Sequence, residues 1–287
     1  MPNSHCNIIS DMARFIALIS SVLLVGCTSV FFQPQQIQYL TPDQIGLKYE
    51  EVTIKSADEV KLIGWWLPAL GTAKGTILFL HGNAQNISTH IGSVYWLPAQ
   101  QYNVLLLDYR GYGGSEGSPS LEGVQDDINS AMSYLLKRQD IDTERIAILA
   151  QSLGGASAIY NVANSPYRAN IKALISESAF SDYRMIAREK MASFWLSWPL
   201  QWPLSFTIDN AYSPLPAVNK ISPIPLLIIH GDRDEVVPLS HGQTLFAAAE
   251  QPKELWVAEG MGHIEAFRHQ EYRTKLLEYL QRVLPQK

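Results

Sequence analysis

The sequence predicts an α/β domain: a mostly parallel eight-stranded sheet with helices on both faces and a short cap. Three observations predict it. Short apolar runs bounded by turn residues recur eight times between residues 51 and 257, each of strand length. From the third run onward they alternate with stretches of helical periodicity, the pattern of parallel strands joined by crossover helices. The first two runs have no helix between them, so they read as an antiparallel hairpin at one edge.

In chain order, the strand-like runs are 51–54 and 62–67, the hairpin, then 76–80, 104–107, 146–150, 173–176, 226–229 and 254–257. The run 224–229, Ile224-Pro225-Leu226-Leu227-Ile228-Ile229, is apolar throughout, as a strand covered on both faces must be. Helical patterns fill the gaps at 88–100, 121–137, 154–163, 181–191, 239–249 and 264–283. No repeat or low-complexity segment interrupts the order. Residues 49–287 therefore read as one domain, with chain enough for a large core. Its only insertion is a short cap at 180–222. That insertion carries Phe194, Trp195, Trp198, Trp202 and Phe206, while Pro199 and Pro203 interrupt any helix. Such aromatics either form an apolar acyl pocket, touch lipid, or pack on one another.

The hexapeptide Ala150-Gln151-Ser152-Leu153-Gly154-Gly155 lies between an apolar run and a helical stretch. A serine on a sharp strand-to-helix turn is pushed out toward substrate, and the helix presents its first N–H groups to a forming oxyanion. Ser152 is thus the candidate nucleophile, with Ala150 standing where this elbow usually has glycine. A nucleophilic serine needs a base and a carboxylate to orient it, and here both follow in the chain order Ser, Asp, His. Asp234 follows the 226–229 strand, with Asp232 as the reserve acid. His263 lies in the loop Glu259-Gly260-Met261-Gly262-His263, past the last strand. For the oxyanion hole the candidates are the N–H of Leu153 and that of Asn83, which follows Gly82 at the end of the 76–80 strand. His81 and His230 read as loop braces, and His90, His241 and His269 as surface residues. A metal site from His230, Asp232, Asp234 and His263 lacks any His-x-x-x-His or cysteine pair, so neither metal nor cofactor is expected.

Five motifs in order carry a family resemblance from about Glu50 to the C-terminus. They are the runs His81 to Asn86, Asp108 to Gly117, Gln151 to Gly155, His230 to Pro238 and Gly260 to His263. The chain resembles the α/β-hydrolases of the BEM46-like group, close to the serine aminopeptidase and monoacylglycerol-lipase types. The resemblance implies the α/β-hydrolase fold and Ser152, Asp234 and His263 as catalytic residues. It does not imply a substrate, because this fold hosts many chemistries. Asp108 and Arg110 are expected to hold the loop after the fourth strand.

The formal net charge is −5 and no basic cluster occurs, which argues against nucleic acid as a partner. The two cysteines, Cys6 and Cys27, both precede the domain. Arg14, the apolar run 15–25, Gly26 and Cys27 have the charge, apolar stretch and small-residue end of a secretory signal. Leu24-Val25-Gly26-Cys27 resembles the bacterial lipobox. That resemblance implies removal of residues 1–26, lipid attachment at Cys27, and a lipid-anchored tether over 27–48. Thr28 resembles the sorting signal for the outer membrane, facing the periplasm. Two starts are open, Met1 and Met12, and an uncleaved membrane anchor is the rival reading, although a span prefers about 20 apolar residues. The expected partners are the membrane, through the N-terminal lipid, and a small or medium acyl substrate.

Overall fold

The computed structural model describes residues 31–284. The signal segment and Cys27 lie outside the described residues. Within them, no helix is long and apolar enough to cross a membrane.

All eight expected strands form one sheet. β1 (Glu50–Lys55) and β2 (Lys61–Leu67) make the antiparallel hairpin, followed by β3 (Gly75–Leu80), β4 (Tyr102–Leu107), β5 (Ile146–Gln151), β6 (Ile171–Glu177), β7 (Leu226–Gly231) and β8 (Lys253–Ala258). The spatial order is β8-β7-β6-β5-β3-β4-β2-β1, with β2 antiparallel to both β1 and β4 and all other neighbours parallel. The parallel order brings the C-terminal ends of β3, β5, β6, β7 and β8 to one edge, where ligands bind in open α/β sheets.

Strand alternation divides the core into two layers. Leu78, Leu80, Leu105, Leu107, Ile146 and Ile148 face one side, packing with α1 (Leu121–Lys137), α2 (Leu153–Asn164) and the helices of the cap. Ile77, Phe79, Val104, Leu106, Ala147 and Leu149 face the other. α1 shows why such a stretch is helical and where it starts. Leu121, Val124, Ile128, Met132 and Leu135 recur at three- and four-residue spacing on the buried face, and the Ser120 hydroxyl accepts the Gly123 N–H at 3.0 Å. Each such leucine or isoleucine, fully buried, contributes about 1.5–3 kcal/mol. α3 (Tyr183–Ala192) opens the cap, α4 (Leu239–Ala248) follows β7, and α5 (Gln270–Val283) closes the second layer through Leu276, Tyr279 and Leu280.

Two expected helices are corrected. The stretch 88–100 is a one-turn helix Ile87–His90 followed by 3₁₀ turns at Ile91–Ser93 and Pro98–Gln100. Gly92 gives the run little helical preference and Pro98 has no N–H to continue it. The stretch 264–283 opens with Ile264 at a left-handed φ of 51°, a conformation a β-branched residue adopts only under constraint, makes a 3₁₀ turn at Ala266–Arg268 and becomes α-helical only at Gln270. The tether expectation also changes. From Phe31 the chain is a strap packed on the domain: Gln33–Pro34 pairs in parallel with Ala84–Gln85, and the Asn86 amide donates to Gln35 O and Ile37 O, both at 2.8 Å.

Candidate active site

Ser152 terminates β5 and begins α2 with φ 52° and ψ −116°, a conformation that L residues rarely adopt. The surroundings enforce it. The Ser152 N–H donates to Glu177 O at the end of β6, 2.9 Å away, and α2 then runs tightly against the sheet edge. A Cβ on Gly154 would lie 2.4 Å from His81 O and 2.6 Å from Leu80 O, so only glycine lets the helix start there. Ala150, by contrast, is fully buried in β5 with its methyl accommodated. The Ser152 side chain makes no capping bond to its own helix.

The hydroxyl instead meets His263. Ser152 Oγ lies 2.9 Å from His263 Nε2, and His263 Nδ1 lies 2.8 Å from Asp234 Oδ2. A carboxylate can only accept here, so Nδ1 carries the proton and Nε2 is left to accept from the serine. Asp234 Oδ1 takes the N–H groups of Val236 and Val237 at 2.9 and 2.8 Å. Burial pushes the Asp234 carboxyl up, but the His263 bond and charge and the Val237 N–H outweigh it and hold it below the usual range. The reserve acid, Asp232, points elsewhere: it is exposed and accepts the Gly260 N–H, bracing the histidine loop from outside. The same loop crosses β7 so closely that a Cβ on Gly231 would sit 2.3 Å from Met261 O.

Ser152 and His263 open on one cavity of about 830 Å³, with the Asp234 carboxylate sealed behind them. Asn83 and Leu153 line it beside Ser152, and among the described residues neither backbone N–H has a hydrogen-bond acceptor. The rest of the wall is mostly apolar, including Phe31, Phe180, Ile186, Met191, Leu204 and Ile208, and among the described residues that line it there is no carboxylate. Trp195, Trp198 and Trp202, like Phe194 and Phe206, are absent from that wall and face outward, so the aromatics of 194–206 do not form the pocket.

The other histidines sort as follows. His81 is buried, its Nδ1–H bonding Gly82 O at 2.7 Å, and burial lowers its pKa to about 3, so it braces the loop as expected. His230 Nε2–H donates to Val237 O at 2.8 Å and supports the Asp234 loop. His269 is exposed, as expected. His90 and His241 are corrected. His90 lines the cavity and bonds Ala84 O, while His241 is buried, hydrogen-bonded to Ser181 and Glu189. Asp108 and Arg110 hold the loop after β4. Asp108 Oδ1 takes the Ile87 N–H, and Arg110 bridges Asp127 and Asp58.

Two parts of the site have no counterpart in the sequence reading. Glu177 is fully enclosed at the end of β6, with one oxygen 2.6 Å from the Gln151 amide and the other accepting the Ala266 N–H at 2.9 Å. It fastens the elbow to the histidine loop, and burial pushes its carboxyl up. A carboxylate closing an apolar strand at the elbow's edge of the sheet was the available signal. The strap is the other part. Gln33 N–H donates to Asn83 Oδ1 at 2.9 Å, and Tyr112 O–H to Asn83 O at 2.7 Å.

Known proteins agree with this architecture. Residues 71–211 match the family described as serine aminopeptidase, S33. An uncharacterized protein, YfhR, of Salmonella typhimurium is 34% identical across 95% of this chain and 94% of its own. The alpha/beta hydrolase domain-containing protein WAV2 of Arabidopsis thaliana is 32% identical over 86% of this chain and 83% of its own. Protein bem46 of Schizosaccharomyces pombe is 29% identical over 78% and 74%. A solved Pyrococcus furiosus esterase shares the fold, with a TM-score of 0.74, 22% identity, and coverage of 89% of this chain and 99% of that one. With this order of strands and these relatives, the chain belongs to the BEM46-like α/β-hydrolases and is a hydrolase.

Proposed function

We propose that this protein is a serine hydrolase that cleaves an ester, thioester or amide through an acyl-enzyme, held in the bacterial envelope by lipid on Cys27. The observation that carries the chemistry is the unbroken line Asp234–His263–Ser152 ending at the cavity. His263 Nε2 takes the Ser152 proton as Oγ attacks the substrate carbonyl. The new oxyanion rests on the N–H groups of Leu153 and Asn83. The tetrahedral intermediate collapses, the C–O, C–S or C–N bond breaks, and His263 hands its proton to the leaving group. Water then enters, His263 removes a proton as the water oxygen attacks the acyl carbon, and the second tetrahedral intermediate collapses: the bond from the acyl carbon to Ser152 Oγ breaks, His263 returns the proton to Oγ, and the acid leaves. Asp234 accepts the Nδ1–H throughout and stabilises the imidazolium, without itself taking the proton.

The wall favours an acyl group over an amino acid. An aminopeptidase needs a carboxylate for the substrate ammonium, and the described lining offers none; its one charged side chain is Lys190, whose ammonium donates to Glu235 O. The substrate is therefore a small or medium acyl compound with an apolar acyl group. Lipidation at Cys27, with Thr28 next, places the domain on the periplasmic face of the outer membrane.

The test is fluorophosphonate labelling of wild type and Ser152→Ala, followed by a panel of p-nitrophenyl esters and aminoacyl amides. Wild type labels and the variant does not, and kcat/KM rises several-fold per added carbon pair, since each buried methylene contributes about 0.8 kcal/mol. Absence of labelling would leave a catalytically idle scaffold that binds rather than hydrolyses. Hydrolysis confined to aminoacyl amides would turn the assignment to a peptidase. Mass spectrometry of the mature N-terminus checks the anchor: an acylated Cys27 supports it, an intact Met1 or Met12 does not.

A further inference from the structure

The described surface carries fourteen exposed large apolar side chains, and seven of them fall between Phe194 and Phe206. Trp195 is 77% exposed, Trp198 60% and Trp202 57%. Among the described residues this stretch of cap has no counter-surface, and residues 191–208 contain no Asp, Glu, Lys, Arg or His. A charge-free run with three outward tryptophans is costly in water, and tryptophan's apolar face with a single N–H suits the headgroup boundary of a bilayer.

Two further observations say what covers it. The patch adjoins the cavity: Leu204 lines the wall while Trp202, in the same short helix, is exposed, and Met191 and Ile208 line it from the two ends of the charge-free run. The N-terminal strap leaves from the same wall. Phe31 lines the cavity and packs edge-on against Tyr183 in α3 at 4.9 Å, and Cys27 is four positions upstream. Chain length alone keeps Cys27 within about 14 Å of that wall. Basic residues flank the patch, with the Arg188 guanidinium 4.6 Å over the Trp202 ring and Lys190 at the cavity rim. That charge suits anionic headgroups.

We propose that the outer face of the cap, centred on Trp195, Trp198 and Trp202, docks on the bilayer that holds the N-terminal anchor. The cavity mouth then opens against the lipid surface, so apolar acyl substrates reach Ser152 from the membrane rather than from bulk water. This rests on the anchored-hydrolase reading above and adds where its substrate comes from.

The experiment uses the full lipidated chain reconstituted into phosphatidylethanolamine/phosphatidylglycerol vesicles with brominated acyl chains. The remaining tryptophans, Trp65, Trp66, Trp96 and Trp256, are buried or half-buried and supply the unquenched background. Docking is expected to quench a large share of wild-type fluorescence, a share lost in the Trp195→Ser/Trp198→Ser/Trp202→Ser variant. The variant should also hydrolyse a vesicle-borne medium-chain ester at least about tenfold more slowly while cleaving soluble p-nitrophenyl acetate at the wild-type rate. Equal quenching in the two proteins, or none in wild type, overturns the proposal, as does a cap-to-cap cross-link between two copies in place of quenching. Fluorophosphonate labelling separates the two readings. A labelled but unquenched protein loses the docking surface and keeps the hydrolase; a quenched but unlabelled one does the reverse.

Discussion

Among the described residues two serine–histidine–carboxylate lines occur, and they are built as opposites. One is Ser152–His263–Asp234. The other is Ser181–His241–Glu189, with Ser181 Oγ 2.8 Å from His241 Nδ1 and His241 Nε2 2.9 Å from Glu189 Oε2. Distances alone do not separate them. In the first line the serine has a left-handed backbone, opens on the cavity and sits beside two N–H groups without acceptors; the carboxylate is sealed away at the far end. In the second the order of burial is reversed. Ser181 is fully buried with its own N–H also on His241 Nδ1, and the carboxylate is the exposed member. A line that ends in solvent at its acid and in the core at its serine can fasten α3 to α4, but it has no room for a carbonyl. A hydrogen-bonded triplet is therefore not a catalytic signature by itself; under the proposed mechanism the turn, the cavity and the two N–H groups make the difference.

The sharpest way to break this comparison is Ser152→Ala. Under the proposed mechanism it lowers kcat by about 10⁴-fold or more, as loss of a triad member does, while the folding transition stays near that of wild type. Turnover within tenfold of wild type would remove Ser152 from the chemistry.

Asp234→Asn comes next, with an expected loss of about 10³- to 10⁴-fold in kcat, because an amide cannot hold His263 in the required tautomer. It also has a stability signature. Burial pushes the Asp234 carboxyl up, but His263 and the Val237 N–H pull it lower still, so its folded value lies below its unfolded one. A depressed carboxylate stabilises the fold fully above about pH 4 and loses that contribution as pH falls through the lowered value. Urea midpoints of wild type and variant should keep a constant gap near neutrality and converge in acid. A gap that widens below pH 4 would contradict the assignment.

How much of this could be read from residues alone follows from the range of each signal. The eight strands and the Ser152, Asp234 and His263 positions are written in local patterns, a strand period of two and short motifs after strand ends, and the geometry joins them as the motif order implies. The strap was not legible. Gln33–Pro34 pairs through backbone groups with residues some fifty positions away, and backbone pairing leaves no side-chain pattern in a Gln- and Pro-containing run. His241 was misplaced to the surface because its partners, Ser181 and Glu189, are sixty and fifty-two positions distant. Composition identified the cap's aromatics but not their direction, which is set by how the short helices around Pro199 and Pro203 pack.

The strap offers a subtler test of what the first line has and the second lacks. Asn83→Ala keeps the backbone N–H but removes the Oδ1 that accepts from Gln33. If that bond positions the oxyanion donor, kcat should fall on the order of tenfold with KM little changed, since small displacements of a preorganised donor weaken the transition state selectively. Equal losses in binding and turnover would point to general loosening of the wall.

Ser181→Ala is the smallest expected effect and the most direct challenge to the comparison. Removing the hydroxyl leaves the Ser181 backbone N–H on His241 Nδ1 and the Glu189 bond on Nε2, so the histidine keeps a partner at each nitrogen. The loss is then one buried hydrogen bond, about 1 kcal/mol, visible as a shifted urea midpoint. Fluorophosphonate labelling and kcat should match wild type, because none of these three residues lines the cavity. A labelled serine at position 181 in the Ser152→Ala background, or a kcat loss in Ser181→Ala beyond what its stability explains, would show that the buried line takes part in the reaction and that burial does not divide the two.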